Sequence, residues 1–301
     1  MIYFIFLGAV LNNYFKNIRM KRTKTVNTRS VIIIAISFLS VIFFTFSGCR
    51  NKGSQSTSGD DEIVIEQEES KEQVLKEMTD YPLPTSFEVT KLLIDAGAGY
   101  ILDLCNRTEN IDTYINLKSK ALNLGVYGAD LSYAATYNQT QETMQYLEAT
   151  SKLINDLQIS SGFNQTLVNR VENNLDNVDS LIIIISDSFY NTYEYLSENE
   201  QDNISVLVLA GSWIEALYIT TQISIISMNN EKIVQIISDQ KSTLGKLIEV
   251  MEPIKDDPMV KDTFTSLQEL KETFDSTDVP ITKEQLDALI EKTESVRSKI
   301  V

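Results

Sequence analysis

The chain has 301 residues, with 26 Lys and Arg against 42 Asp and Glu and no histidine, for a formal net charge of −16. Such acidity repels nucleic acid and anionic membrane faces, so it opposes nucleic-acid binding and favours cationic partners or plain solubility. Without histidine there is no Ser-His-Asp or Cys-His catalysis, no imidazole zinc site and no Glu-x-x-His di-iron bundle.

The N-terminal segment breaks this pattern. Lys16, Arg19, Lys21, Arg22, Lys24 and Arg29 precede an apolar run from Val31 to Phe46, and no Asp or Glu occurs before Cys49. Sixteen residues of helix span about 24 Å, short of the ~30 Å hydrocarbon core, which suits a signal peptide better than a permanent span. Met20 opens Met-Lys-Arg-Thr-Lys 29 residues before Cys49 and is the expected true start. The order of basic flank, apolar run, small residues and cysteine resembles a bacterial lipoprotein signal, with Phe46-Ser47-Gly48-Cys49 in place of the commoner Leu-Ala-Gly-Cys. The resemblance implies that residues 1–48 are removed, that Cys49 carries the lipid, and that this lipid anchors the mature chain to the membrane. The alternative is an uncleaved anchor with an incidental cysteine. In the Bacteroidota, surface-bound lipoproteins often carry an acidic cluster beside the lipidated cysteine. Here Arg50 and Lys52 come first and Asp60-Asp61-Glu62 later, so the expected place is the cell envelope, at the outer membrane and facing the periplasm.

Beyond Cys49 the chain holds 20 Lys and Arg against 42 Asp and Glu. Residues 49–84 read as a lipidated, acidic tether: Gly53 to Gly59 is flexible by composition and Asp60 to Glu69 is charged and poor in apolar residues. A short helix is expected at Lys71 to Met78. Pro82 and Pro84 then interrupt the chain.

Thr85 and Glu88 have the spacing of a capping box and open a helical domain over 85–301. Val89, Leu92, Leu93, Ala96, Tyr100, Ile101 and Leu104 recur at spacings of three and four, which predicts a first helix of about five turns. Further helices are predicted near 110–138, 140–158, 163–176, 178–198, 203–228, 231–251, 258–274 and 282–300, the last opened by a second capping box from Thr282 to Gln285. Pro253, Pro258 and Pro280 fall at boundaries, and Gly162 suits a left-handed turn. Leu181 to Ile185 could form a buried strand, but no partner run exists, so helix is expected.

The fold class is therefore all-α: an antiparallel helical bundle or short α-solenoid, organised as two pseudo-repeats of helical hairpins. Leu124, Asp130, Tyr133 and Thr136 align with Leu209, Glu215, Tyr218 and Thr221 at an offset of 85, and flanking helices align at 90. This places the halves near 85–176 and 177–275, followed by the C-terminal helix.

Asp130 and Glu215 stand out because each interrupts an apolar, small-residue helix and has a tyrosine three positions on, Tyr133 and Tyr218. A buried carboxylate needs a partner. One reading is structural: each acid caps a helix end or pairs with its tyrosine. The other is a pseudo-symmetric site where Asp130, Tyr133, Glu215 and Tyr218 bind a small cationic ligand or metal. Gly125, Gly128, Ala129, Ser132 and Ala135 make one helix slender, for close packing or to line a groove. Trp213 and Tyr127, Tyr137, Tyr190 and Tyr193 add aromatic bulk, expected mostly in the core. Cys105 would be the sole free thiol after lipidation of Cys49, so no intramolecular disulfide is expected, and a buried structural role suits it better than nucleophilic chemistry. Asp176 to Asp179 and Glu198 to Asp202 lack the glycine and terminal Glu of a calcium loop. No nucleotide-binding or nucleophile-elbow motif occurs.

Gly125 to Tyr133 is similar to stretches in uncharacterised Bacteroidota-type helical lipoproteins, a resemblance that implies no activity. The expectation is a non-enzymatic envelope lipoprotein that holds a protein partner or serves a structural role, with no cofactor and no catalytic or metal-ligating residue. The alternative is a lipoprotein binding a small cation between its repeats. A carboxylate-only glycosidase is the third reading, with no evident acid pair to carry it.

Overall fold

Two helices with no polar face organise the domain: α2 (Leu117–Thr136), buried throughout from Ala121 to Thr136, and α6 (Asp202–Ile226), buried on nearly every side. A helix apolar all round has to be enclosed by others. The computed structural model describes residues 86–159, 161–228 and 230–301, without the side chains of 161–164. Signal region 1–48, Cys49, the tether and Thr85 lie outside the described residues.

Around the central pair run α1 (Ser86–Asp95), α3 (Thr140–Asp156), α4 (Ser161–Glu172), α5 (Val178–Glu198), α7 (Glu231–Met251), α8 (Lys261–Asp275) and α9 (Lys283–Arg297), with 3-10 turns at Leu102–Leu104, Thr108–Thr113 and Glu252–Ile254. No strand occurs among the described residues, and the fold is all-α. Leu181 to Ile185 lies in α5. By length and composition α6 could cross a membrane, but 78% of its most apolar window is buried inside the protein, so it is the core helix here.

Helices α2 and α6 touch backbone to backbone. A Cβ on Gly125 would overlap the Val208 carbonyl and lie 2.6 Å from Ser212 N, and one on Gly211 would overlap the Leu122 carbonyl. The two contacts exchange under a shift of 86 positions, from Gly125 to Gly211 and from Leu122 to Val208. Gly125 meets the turn around Val208 and Ser212, and Asp130, further along, meets Glu215. The helices therefore run in the same direction. Each turns back tightly into its successor, α3 or α7, so antiparallel hairpins are joined through their first members. Helix α6 packs against α1, α2, α5, α7 and α9, and this enclosure makes the fold a helical bundle. At Gly128 the missing Cβ admits the Phe189 ring of α5.

Helix ends follow from local chemistry. Asn116, Asn177 and Thr282 accept backbone N–H bonds at the starts of α2, α5 and α9, with the full capping box at Thr282 and Gln285. Asn230 caps α7 and also donates to the Ala96 carbonyl at 3.2 Å, tying α1 to the turn between α6 and α7. After α2, α3 and α5 the chain takes left-handed φ at Asn138 (56°), Gln158 (59°) and Glu200 (59°). The next N–H then reaches back to the carbonyls of Ala134, Ile154 and Leu196, which satisfies helix-end acceptors. Gly162, expected at such a turn, lies inside α4, and Gln158 takes the left-handed position instead.

The first helix departs most from the periodic reading. It ends at Asp95 rather than near Leu104, and Gly97, at φ 86°, turns the chain into an irregular strap that carries the first two 3-10 turns and reaches to Asn116. The reason is a set of side chains on α2. Tyr137 Oη donates to the Ala98 carbonyl at 2.9 Å, Tyr133 Oη accepts from Ile101 N at 3.0 Å, Asp130 Oδ2 accepts from Asn106 N at 3.1 Å, and Tyr127 Oη donates to the Arg107 carbonyl at 2.8 Å. Backbone groups that a helix would pair internally are paired with one face of α2. Helix α2 starts at Leu117 and not near 110, because Thr108–Thr113 forms a 3-10 turn and Asn116 caps the first turn of α2.

Candidate functional site

Asp130 and Glu215 are both completely buried, one on each central helix. The parallel run of α2 and α6 brings the two carboxyls within hydrogen-bonding reach of one another.

Their partners differ from the expected tyrosines. Glu215 receives a bidentate guanidinium from Arg297, Nε to Oε2 at 2.6 Å and Nη2 to Oε1 at 2.8 Å. The Arg297 guanidinium carbon also sits 4.0 Å over the Tyr218 ring. Charge pairing and the ring face together hold the last turn of α9 against the core. Asp130 binds the strap through Asn106 N, and its Oδ1 is buried with no donor in hydrogen-bond geometry. Tyr133, expected beside Asp130, serves Ile101 N and stacks on Tyr100 with centroids 4.9 Å apart.

A polar network extends from this pair. Asn106 Nδ2 donates to Tyr114 Oη at 2.8 Å and Asn123 Oδ1 at 3.3 Å, and Asn123 Nδ2 donates to the Ile300 carbonyl at 2.9 Å. The C-terminal turn is thus bound twice, through Arg297 and through Ile300. Cys105 is a buried free thiol beside Asp130 and Tyr146.

Burial sets the electrostatics. It pushes Asp130 well above the ordinary carboxylate range, Glu215 pushes it further, and Arg297, the Cys105 thiol and the Asn106 N–H pull the other way. Burial also raises Glu215, against the pull of Arg297 and of Asp130 beside it. The Cys105 thiol is driven up by burial and by both acids, so it stays protonated and unreactive. Glu215 holds Arg297 in its charged form.

Sequence reasoning found both acids and placed Cys105 in the interior. It missed Arg297, Asn106, Asn123 and Tyr146. Arg107, Arg170 and Arg297 are the only arginines among the described residues of a lysine-rich chain, and an arginine in a C-terminal helix facing two buried acids was the available signal. Tyr127, Tyr133 and Trp213 lie in the core, whereas Tyr190 is 46% exposed on α5. An apolar crevice lined by Leu124, Leu131, Thr150, Ile154, Phe189 and Thr192 does not include either acid. Among the described residues no group of three or more Cys, Asp or Glu side chains is arranged to hold a metal ion. No known family model, curated protein or solved structure matches the chain.

Proposed function

We propose that the chain is a non-enzymatic, lipid-anchored envelope protein whose helical domain holds a protein partner or serves a structural role. The observation that supports this reading is the sealing of its most concentrated polar chemistry. Asp130 and Glu215 are fully buried, and Arg297 of the same chain supplies the cation that a ligand would have brought. Contact with other molecules then falls to the outer faces. These include the exposed side chains of Ile183 and Tyr190 on α5 and of Ile225, Ile226 and Met228 at the end of α6. The anchor would be the lipid on Cys49, and the expected place is the outer membrane, facing the periplasm.

The test is crosslinking in native membranes, purification through the lipidated chain and mass spectrometry of what stays attached. A reproducible envelope protein, lost with Tyr190→Ala or with Ile226→Lys and Met228→Glu, is the expected result. Fatty-acid labelling that vanishes with Cys49→Ala checks the anchor separately. The alternative, a small cation bound at Asp130, Tyr133, Glu215 and Tyr218, requires α9 to withdraw Arg297. A stoichiometric small molecule that exposes α9 to protease and is lost with Asp130→Asn plus Glu215→Gln would replace the first reading.

A further inference from the structure

The two buried carboxyls face a single cation. Glu215 has both oxygens on the Arg297 guanidinium, and Asp130 Oδ2 accepts the Asn106 N–H. Asp130 Oδ1 is closed to solvent and no donor reaches it in hydrogen-bond geometry, the Cys105 thiol beside Asp130 being only a weak donor. The ionisable surroundings are Tyr100, Cys105 and Tyr114 from the strap, Tyr127 on α2, Tyr146 on α3, Glu215 and Tyr218 on α6, and Arg297 on α9. The buried residues of α1 and α5, which also pack on α2, include no ionisable group. Arg297 is the only cation in this set. Two ionised carboxyls would leave one negative charge buried without a counterion and Oδ1 without a hydrogen bond, each of them a heavy cost in a site closed to water.

We propose that Asp130 is held as the neutral acid and donates a hydrogen bond from Oδ1 to the Glu215 carboxylate, so that the buried pair carries one negative charge, matched by Arg297. One proton then completes the polar core and makes the domain sensitive to alkali. Each oxygen of Glu215 has two lone pairs, one for Arg297 and one available to the Asp130 hydroxyl. The upward displacement of Asp130 by burial and by Glu215 agrees with this arrangement. A carboxyl raised in the folded state contributes stability that is fully present below its unfolded value and is lost as pH rises through its folded value. Loss of the proton to solvent base places two like charges side by side between α2 and α6.

Infrared difference spectroscopy of the full chain in detergent micelles reads the proton directly. At neutral pH, where exposed carboxyls are ionised, the carbonyl stretch of a protonated carboxylic acid should remain, and it should vanish in Asp130→Asn. Asparagine can make both bonds of the neutral acid, accepting from Asn106 N and donating to Glu215, so this variant should fold. Its unfolding midpoint, relative to the parent's, should rise as pH increases above the ordinary carboxyl range. A missing band in the parent would overturn the proposal. So would a band that survives Asp130→Asn and disappears in Glu215→Gln, or failure of Asp130→Asn to fold at neutral pH.

Discussion

The two central helices, one in each half of the described domain, set their buried acids in different surroundings. In the first half, α2 with its C-cap Tyr137 presents Tyr127, Asp130, Tyr133 and Tyr137 to the irregular strap, and the preceding helix is only ten residues long. In the second half, α5 continues for 21 residues before α6, and Glu215 turns to an arginine from the end of the chain. The acid in each half thus has a different customer, a backbone N–H for Asp130 and a guanidinium for Glu215. A buried carboxylate requires a donor, and what surrounds it decides which donor is at hand.

The contrast predicts an order of mutational cost. Arg297→Ala should be the most damaging change, since it leaves the Glu215 carboxylate buried without its partner; about 3–5 kcal/mol of stability should be lost in urea unfolding. Arg297→Lys, lacking the planar fork, should recover only part of it. The crossing of α2 and α6 comes next: Gly125→Ala and Gly211→Ala each push a Cβ into backbone and should cost about 1–3 kcal/mol. If either alanine is neutral, the helices are not packed backbone to backbone.

The tyrosine pair sharpens the comparison further. Tyr133→Phe removes the acceptor of the Ile101 N–H and should cost about 1–3 kcal/mol. Tyr218→Phe keeps the ring under Arg297 and should stay within about 0.5 kcal/mol of the parent in the same assay. Equal losses at both positions would show that the halves are treated alike. The smallest effect has the opposite sign. Gly245 in α7 has open space where a Cβ would go, so Gly245→Ala should stabilise by about 0.5–1 kcal/mol, raising the thermal midpoint.

The bounds of α5 and α7 were readable to the residue, and those of α3, α6, α8 and α9 to within a few, because apolar residues recur at helical spacing between asparagine, threonine and proline boundaries. The strap was not readable. Val89 to Leu104 has a helical pattern throughout, and only the side chains of α2, distant in sequence, outbid the helix for its backbone groups. Asp130 and Glu215 were legible as isolated acids in apolar helices. Their donors were not, since Asn106 and Arg297 lie 24 and 82 positions away.

By itself the sequence determined the all-α class, the absence of imidazole chemistry, the place of Asp130 and Glu215 in apolar helices and the interior position of Cys105. These follow from composition and local period, which act within a few turns of chain. Tertiary structure alone decided that α2 and α6 cross at Gly125 and Gly211, that Arg297 is the cation of the acid site, and that the segment after α1 is a strap. Those outcomes depend on which groups meet after the chain has folded back on itself, where burial makes each unpaired charge and each unpaired N–H costly enough to choose its own partner.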